Sequence, residues 1–141
     1  MKMMYILFYI FIVYIMTSST IKKRYNKYKK IKINKRTLSV EIANTKLKRT
    51  RGLMYRRKIK NDNGMLFIFP RKSIKHFWMK NTYVPLSVAF IDNKKIISQI
   101  DHLYPLDLNG VYSKEKVKYV LEVPMGWFNK NNVKIGDKVL F

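Results

Sequence analysis

Residues Gly64 to Ile91 read GMLFIFPRKSIKHFWMKNTYVPLSVAFI. This is the longest concentration of apolar and aromatic residues outside the N-terminus. Met65 to Phe69 is apolar throughout and predicts a buried strand, with Pro70 expected to end it. His76 to Met79 predicts a second short strand, and Leu86 to Ile91 a third. A polar insert, Lys80-Asn81-Thr82, follows directly after Phe77-Trp78-Met79, and Pro85 marks a break. Short apolar runs bounded by turn residues point to a β fold.

The flanking sequence supports this. Thr37 to Ala43 alternates Leu38, Val40 and Ile42 against polar neighbours, the period of a half-buried strand. Asn44-Thr45 offers an N-cap for a short helix over Lys46 to Arg51, and Gly52 stops it. Leu53 and Met54 then pack back onto the core. Downstream, Lys95 to Leu103 forms a hairpin with Leu86 to Ile91 around Asp92-Asn93-Lys94, where an Asn supplies the left-handed conformation. Tyr104 to Glu115 has no periodicity and reads as a loop. Lys118 to Val123 is a strand, Pro124 to Asn132 holds one or two helical turns, and Lys138 to Phe141 is a last short strand after a Gly136-Asp137 turn. The expected fold is mainly β (α+β): a small barrel-like or rolled antiparallel sheet of about six or seven short strands with one or two short helices.

The N-terminus is different. Met3 to Met16 is an unbroken apolar run, short for a membrane span of about 20 residues. With Lys2 before it and Thr17 to Thr20 behind, it fits a signal peptide, and an uncleaved anchor is the alternative. Ile21 to Arg36 carries nine cations and no acid, and reads as a basic linker able to lie against anionic lipid headgroups. The expected organisation is a signal peptide or membrane anchor over 1–20, a linker over 21–36 and one β domain over 37–141. Location follows: exported, or anchored at the cell envelope. Positive charge behind an apolar run tends to stay in the cytoplasm, so a cytoplasm-facing anchored domain is the runner-up.

The formal net charge is +22, which raises nucleic acid as a partner. From Thr37 onward, however, there are twenty cations and all eight acids, leaving the domain at +12 with its charges dispersed. A dedicated nucleic-acid role is disfavoured. The absence of cysteine excludes disulfides, thiolate metal sites and cysteine nucleophiles. His76 and His102 have no metal-ligand spacing, and there is no nucleophile elbow or phosphate-cradling glycine loop. Neither a metal nor a cofactor is expected, and no residue is assigned as catalytic.

A set of motifs runs through the domain: Arg49-x-x-Gly52-Leu53-Met54, Gly64-Met65-Leu66-Phe67-x-Phe69, Phe77-Trp78-Met79-Lys80-Asn81-Thr82-x-x-Pro85-Leu86 and Phe90-Ile91-Asp92. Tyr119 to Val123, Gly126 and Gly136-Asp137 complete it. From Leu38 to Phe141 the chain resembles the DUF192 family. The resemblance implies a small, mostly β domain, often behind a signal peptide or membrane anchor, and brings no reaction with it. Two positions depart from the family pattern: Ser87 and Lys48 stand where relatives often carry acids.

Lys80, Asn81 and Thr82 are the sharpest candidates for a site. They combine a cation, an amide and a hydroxyl, a set suited to a carboxylate, phosphate or sugar. The competing structural role is a turn with Lys80 paired to Glu122. Glu122 interrupts an apolar strand, Arg49 belongs to a matching motif, and Trp78 borders the polar insert. The favoured reading is a non-enzymatic envelope domain that binds a small polar or anionic ligand, or an envelope partner, through Lys80, Asn81, Thr82, Glu122, Arg49 and Trp78. One alternative is an envelope enzyme acting on carbohydrate or peptide, with Glu122 as acid/base. Another is a membrane-tethered cytoplasmic domain that holds nucleic acid or anionic lipid.

Overall fold

The computed structural model describes residues 6, 7, 9–14 and 28–141 of the chain. Residues 6, 7 and 9–14 are helical and exposed. The Thr17 to Thr20 stretch and the linker up to residue 27 lie outside the described residues. Among the described residues, no helix is long and apolar enough to cross a membrane.

The elements of the domain are β1 (Tyr28–Ile33), β2 (Arg36–Ala43), α1 (Lys46–Arg51), β3 (Asn63–Ser73), β4 (His76–Phe77), β5 (Leu86–Ile91), β6 (Ile97–Leu103), β7 (Val111–Tyr112), β8 (Val117–Pro124), α2 (Trp127–Lys130) and β9 (Val139–Leu140). Seven strands form one sheet in the order β6-β5-β8-β3-β2-β1-β9, and β4 pairs with β7 separately. A single bridge, Ile96 to Lys138, ties the start of β6 at one edge to β9 at the other. The sheet therefore curls into a half-barrel, which blunts both exposed edges. The expected mainly β, barrel-like fold is the one observed.

Five local features differ from the sequence reading. Val111–Tyr112, within the stretch read as a loop, forms β7 and pairs with β4. The stretch read as linker contains β1, which pairs with β2 along its whole length. Only Ile31 and Ile33 of β1 are buried, so the exposed lysines masked an edge strand. The sheet is mixed rather than antiparallel, because β2 and β3 run parallel. Parallel neighbours need a crossover, which residues 44–62 with α1 provide. Strand β3 continues through Pro70 to Ser73; its register with β8 shifts between Ile68 and Ser73, where a missing N–H is tolerated. In the β5–β6 turn the left-handed residue is Lys95, not an Asn. There Asp92 Oδ1 accepts the N–H groups of Lys94 and Ile96 and fixes the loop.

Helix α1 forms where expected. The Thr45 hydroxyl accepts from the Lys48 N–H, and Gly52 ends the helix at a φ of 48°. Its last turn holds Lys48, Arg49 and Arg51, cations favoured at a helix C-terminus.

Both faces of the sheet are buried. Leu38, Val40, Leu66, Leu121 and Val123 point to an inner core that Trp127 and Phe128 of α2 help to fill. Their alternate neighbours, Met65, Phe67, Val88 and Val120, form an outer core with Leu53, Phe77, Met79 and Val84. The segments after α1 and around β4 thus lie as a cover over the outer face, and this cover creates the site.

Candidate functional site

Alternation along β8 sends Leu121 and Val123 inward, so Glu122 emerges on the outer face. Its cross-strand neighbours are Met65 on β3 and Val88 on β5. Cover and apolar neighbours together leave Glu122 only 5% exposed. Its Oε2 has no hydrogen-bond partner. Burial pushes the carboxyl up to about 8, and the positive charge of Arg56 only partly opposes this. Glu122 is therefore protonated at neutral pH and able to donate a hydrogen bond.

Glu122 lines a cavity of about 610 Å³. The other five residues singled out in the sequence, Arg49, Trp78, Lys80, Asn81 and Thr82, line the same cavity. Exposed Lys46, Arg51 and Lys80 supply cations at its rim, while Phe67 and Phe77 form apolar wall. Arg49 is held in place: its Nη1 donates to the Ile68 carbonyl at 2.9 Å, and its guanidinium lies 5.2 Å from the Phe69 ring centre. Lys75 sits 3.9 Å from the same ring, and burial together with the charge of Arg49 lowers its pKa. Two cations thus share one aromatic ring beside the cavity. Trp78 is 44% exposed, with Lys80 Nζ 5.4 Å from its ring.

The polar insert plays two parts. Asn81, at a φ of 53°, is clasped to Tyr55, at a φ of 64°. The Tyr55 N–H donates to the Asn81 carbonyl, and the Asn81 amide donates to the Tyr55 hydroxyl. The Thr82 hydroxyl is turned back onto the Lys80 carbonyl at 3.2 Å. Asn81 and Thr82 therefore shape the wall, while Lys80 is left as an accessible cation. Lys80 and Glu122 form no ion pair, so the structural role weighed for that pair is not the one seen.

Ser87 lies on β5 between Leu86 and Val88, which belong to the outer core, so it faces the inner side of the sheet, away from the cavity. It is fully buried; its Oγ accepts from the Gly126 N–H and lies 3.0 Å from His102 Nδ1. The serine in place of a family acid does not alter the walls around Glu122. Among the described residues, no three or more of His, Asp and Glu are gathered as metal ligands.

Glu41 and Arg56 did not stand out in the sequence. Glu41 is buried on β2, and Arg56 grips it through its two terminal guanidinium nitrogens, at 2.6 and 2.9 Å. The available signal was an acid inside an alternating strand, but nothing in the pattern showed that its face would be covered.

A curled, mixed β sheet with a covered outer face and a buried carboxyl under a cationic rim defines a class of small, mostly β domain. Residues 28–141 match DUF192, described as "Uncharacterized ACR", and the chain belongs to that family. A UPF0127 protein of Pyrococcus abyssi is 31% identical over 105 residues, covering 71% of this chain and 83% of the relative. Among solved structures, a Sinorhizobium meliloti 1021 protein provisionally assigned as a transcription regulator superposes with a TM-score of 0.75 at 37% identity. That match covers 80% of this chain and 94% of the other. A protein of unknown function from Novosphingobium aromaticivorans gives a TM-score of 0.78 at 25% identity, over 81% and 85% of the two chains.

Proposed function

We propose that the domain binds a small polar or anionic ligand without transforming it, in the cavity floored by Glu122. The observation that carries this reading is that Glu122, buried and with an unpartnered Oε2, is among the residues lining a cavity whose rim holds Lys46, Arg51 and Lys80. An unsatisfied buried polar atom costs about 1–3 kcal/mol. A ligand anionic oxygen that accepts from the protonated carboxyl, or a ligand hydroxyl that donates to it, recovers that cost. The rim cations draw the anionic part of the ligand, and the exposed face of Trp78 suits a sugar or other flat group.

The test is calorimetry and amide chemical shifts on the full chain with methylphosphonate, acetate and glucuronate. Binding that shifts the Trp78 indole and Asn81 amide signals, and that drops severalfold in Lys80→Gln, supports the reading. Binding unaffected by that substitution, or shifts confined to other faces, contradicts it.

The enzymatic alternative draws on the same carboxyl. A group titrating near 8 is suited to acid/base work at neutral pH. Turnover of an envelope glycan or peptide, lost in Glu122→Gln, would favour it.

The placement we propose is the cell envelope, exported or anchored. The support is the apolar Met3 to Met16 run followed by basic sequence. Protease digestion of the domain in intact cells tests this; a protected domain favours the cytoplasm-facing arrangement. There, the dispersed +12 charge and the provisional assignment of the Sinorhizobium relative make salt-dependent DNA binding the outcome to look for.

A further inference from the structure

A second cavity, of about 580 Å³, opens against the same outer face. Glu41, Arg56 and Met65 line it, with Lys29 and Lys48 exposed at its edge. Arg51, Gly52 and Met54 line both cavities. The strap that follows α1 is therefore the partition between them, held over the sheet by the Tyr55–Asn81 clasp.

The two compartments have a fixed spacing. Glu41 is in register with Met65, and Met65 with Glu122. The two carboxyl positions are thus two strand spacings apart, about 10 Å. Their charges do not oppose an anion. Glu41 is neutralised by the two-pronged Arg56 contact, and no other acid lines its cavity. Lys29, Lys48 and Arg51 remain as the excess positive charge on that side. Met54, with an unbranched and adaptable thioether, is part of this partition.

We propose that the two cavities are halves of one bipartite site for an elongated anion with two phosphate-like groups about 10 Å apart, one beside Glu122 and one beside the Arg56-paired Glu41, where Lys29 and Lys48 lie at the cavity edge. The inference deepens the binding reading above and rests on it. Arg51, shared by both halves, presents a planar fork matched to phosphate oxygens. Once the first group is seated, the second binds as an intramolecular event, so affinity gains without new protein structure.

Calorimetry on the full chain with methylphosphonate and a series of α,ω-alkanediphosphonates of increasing length tests this. The expected affinity peaks at a diphosphonate spanning about 10 Å, and exceeds that of methylphosphonate by at least about tenfold. The double variant Lys29→Gln/Lys48→Gln, at two exposed positions, is expected to bring that diphosphonate down to about the level of methylphosphonate held at the Glu122 half alone. Affinity that is flat across the series, with methylphosphonate still bound, overturns the bipartite site and leaves the single-cavity reading standing. A double variant that weakens both probes equally overturns it too. Absence of binding by every phosphonate overturns the bipartite site, and absence of acetate and glucuronate binding as well overturns the single-cavity reading.

Discussion

Glu41 and Glu122 stand on the same face of the sheet in one cross-strand row, on either side of Met65. Glu41 is clamped by Arg56, whereas Glu122 Oε2 has no hydrogen-bond partner. Two acids in nearly equivalent positions thus serve opposite ends: one neutralised by the fold, the other left facing a cavity.

The pH dependence of stability follows from Glu122. Its carboxyl titrates at 4.5 in the unfolded chain and at about 8 in the fold. Between those values the unfolded chain has lost a proton that the folded chain keeps, so stability falls as pH rises, by up to about 1.4 kcal/mol per unit. Below the lower value, or above the higher one, both states carry the same charge and the slope vanishes. Glu122→Gln is expected to flatten the slope and to be more stable than the wild type at the upper end. Urea unfolding at several pH values across the range measures it; parallel curves for the two proteins contradict the assignment.

Removing Arg56 has the reverse logic. Arg56→Met removes the two-pronged partner of the Glu41 carboxylate in a largely buried site and is expected to cost about 2–3 kcal/mol. Arg56→Met combined with Glu41→Gln should cost clearly less than the single change, because the buried charge that Arg56 balances is gone. A double-mutant cycle by denaturant unfolding reads the coupling, and additive costs would show that the contact is incidental.

Gly64 marks how tightly β3 approaches β8 beside the site. A Cβ there would meet the Glu122 carbonyl oxygen at 2.4 Å. Gly64→Ala is expected to destabilise by about 1–3 kcal/mol, the cost of overpacking. It should also lower the Glu122 pKa by opening the site to water. By contrast, a Cβ on Gly126 meets nothing within 4 Å, so Gly126→Ala carries only the backbone strain of its left-handed φ, about 1 kcal/mol. Thermal unfolding of the two variants side by side checks the contrast.

The main strands were readable because their chemistry is local. Leu38, Val40 and Ile42 alternate, and Met65 to Phe69 forms a solid apolar run. β1 was not readable, since Lys29, Lys30 and Lys32 outnumber its two buried isoleucines and resemble the basic residues before them. The parallel pairing of β2 with β3 was hidden because alternation reports faces, not partner direction. The six residues singled out for a site converge on one cavity, since the polar insert interrupts an apolar run where the cover must bend. Glu41 and Arg56 escaped because their importance depends on a strap folding back over a face that alternation alone marks as solvent-facing.

Trp78 and Lys80 should separate binding from stability. Trp78→Ala and Lys80→Gln alter groups that are exposed at the cavity edge. Each is expected to change unfolding free energy by no more than about 0.5 kcal/mol, as surface changes do, while weakening methylphosphonate binding severalfold. Unfolding curves and calorimetry on the same preparations decide it. A loss of stability that tracks the loss of binding would make these residues part of the packing instead.

The most direct measurement is an NMR titration of the Glu122 side-chain carboxyl carbon in the full chain, with and without methylphosphonate. A midpoint near 8 that moves higher with the anion present is expected, because an anion seated beside the carboxyl favours its protonated form and the two equilibria are reciprocal. A midpoint in the ordinary carboxylate range, unmoved by the anion, would contradict the claim that Glu122 is the floor of a ligand site.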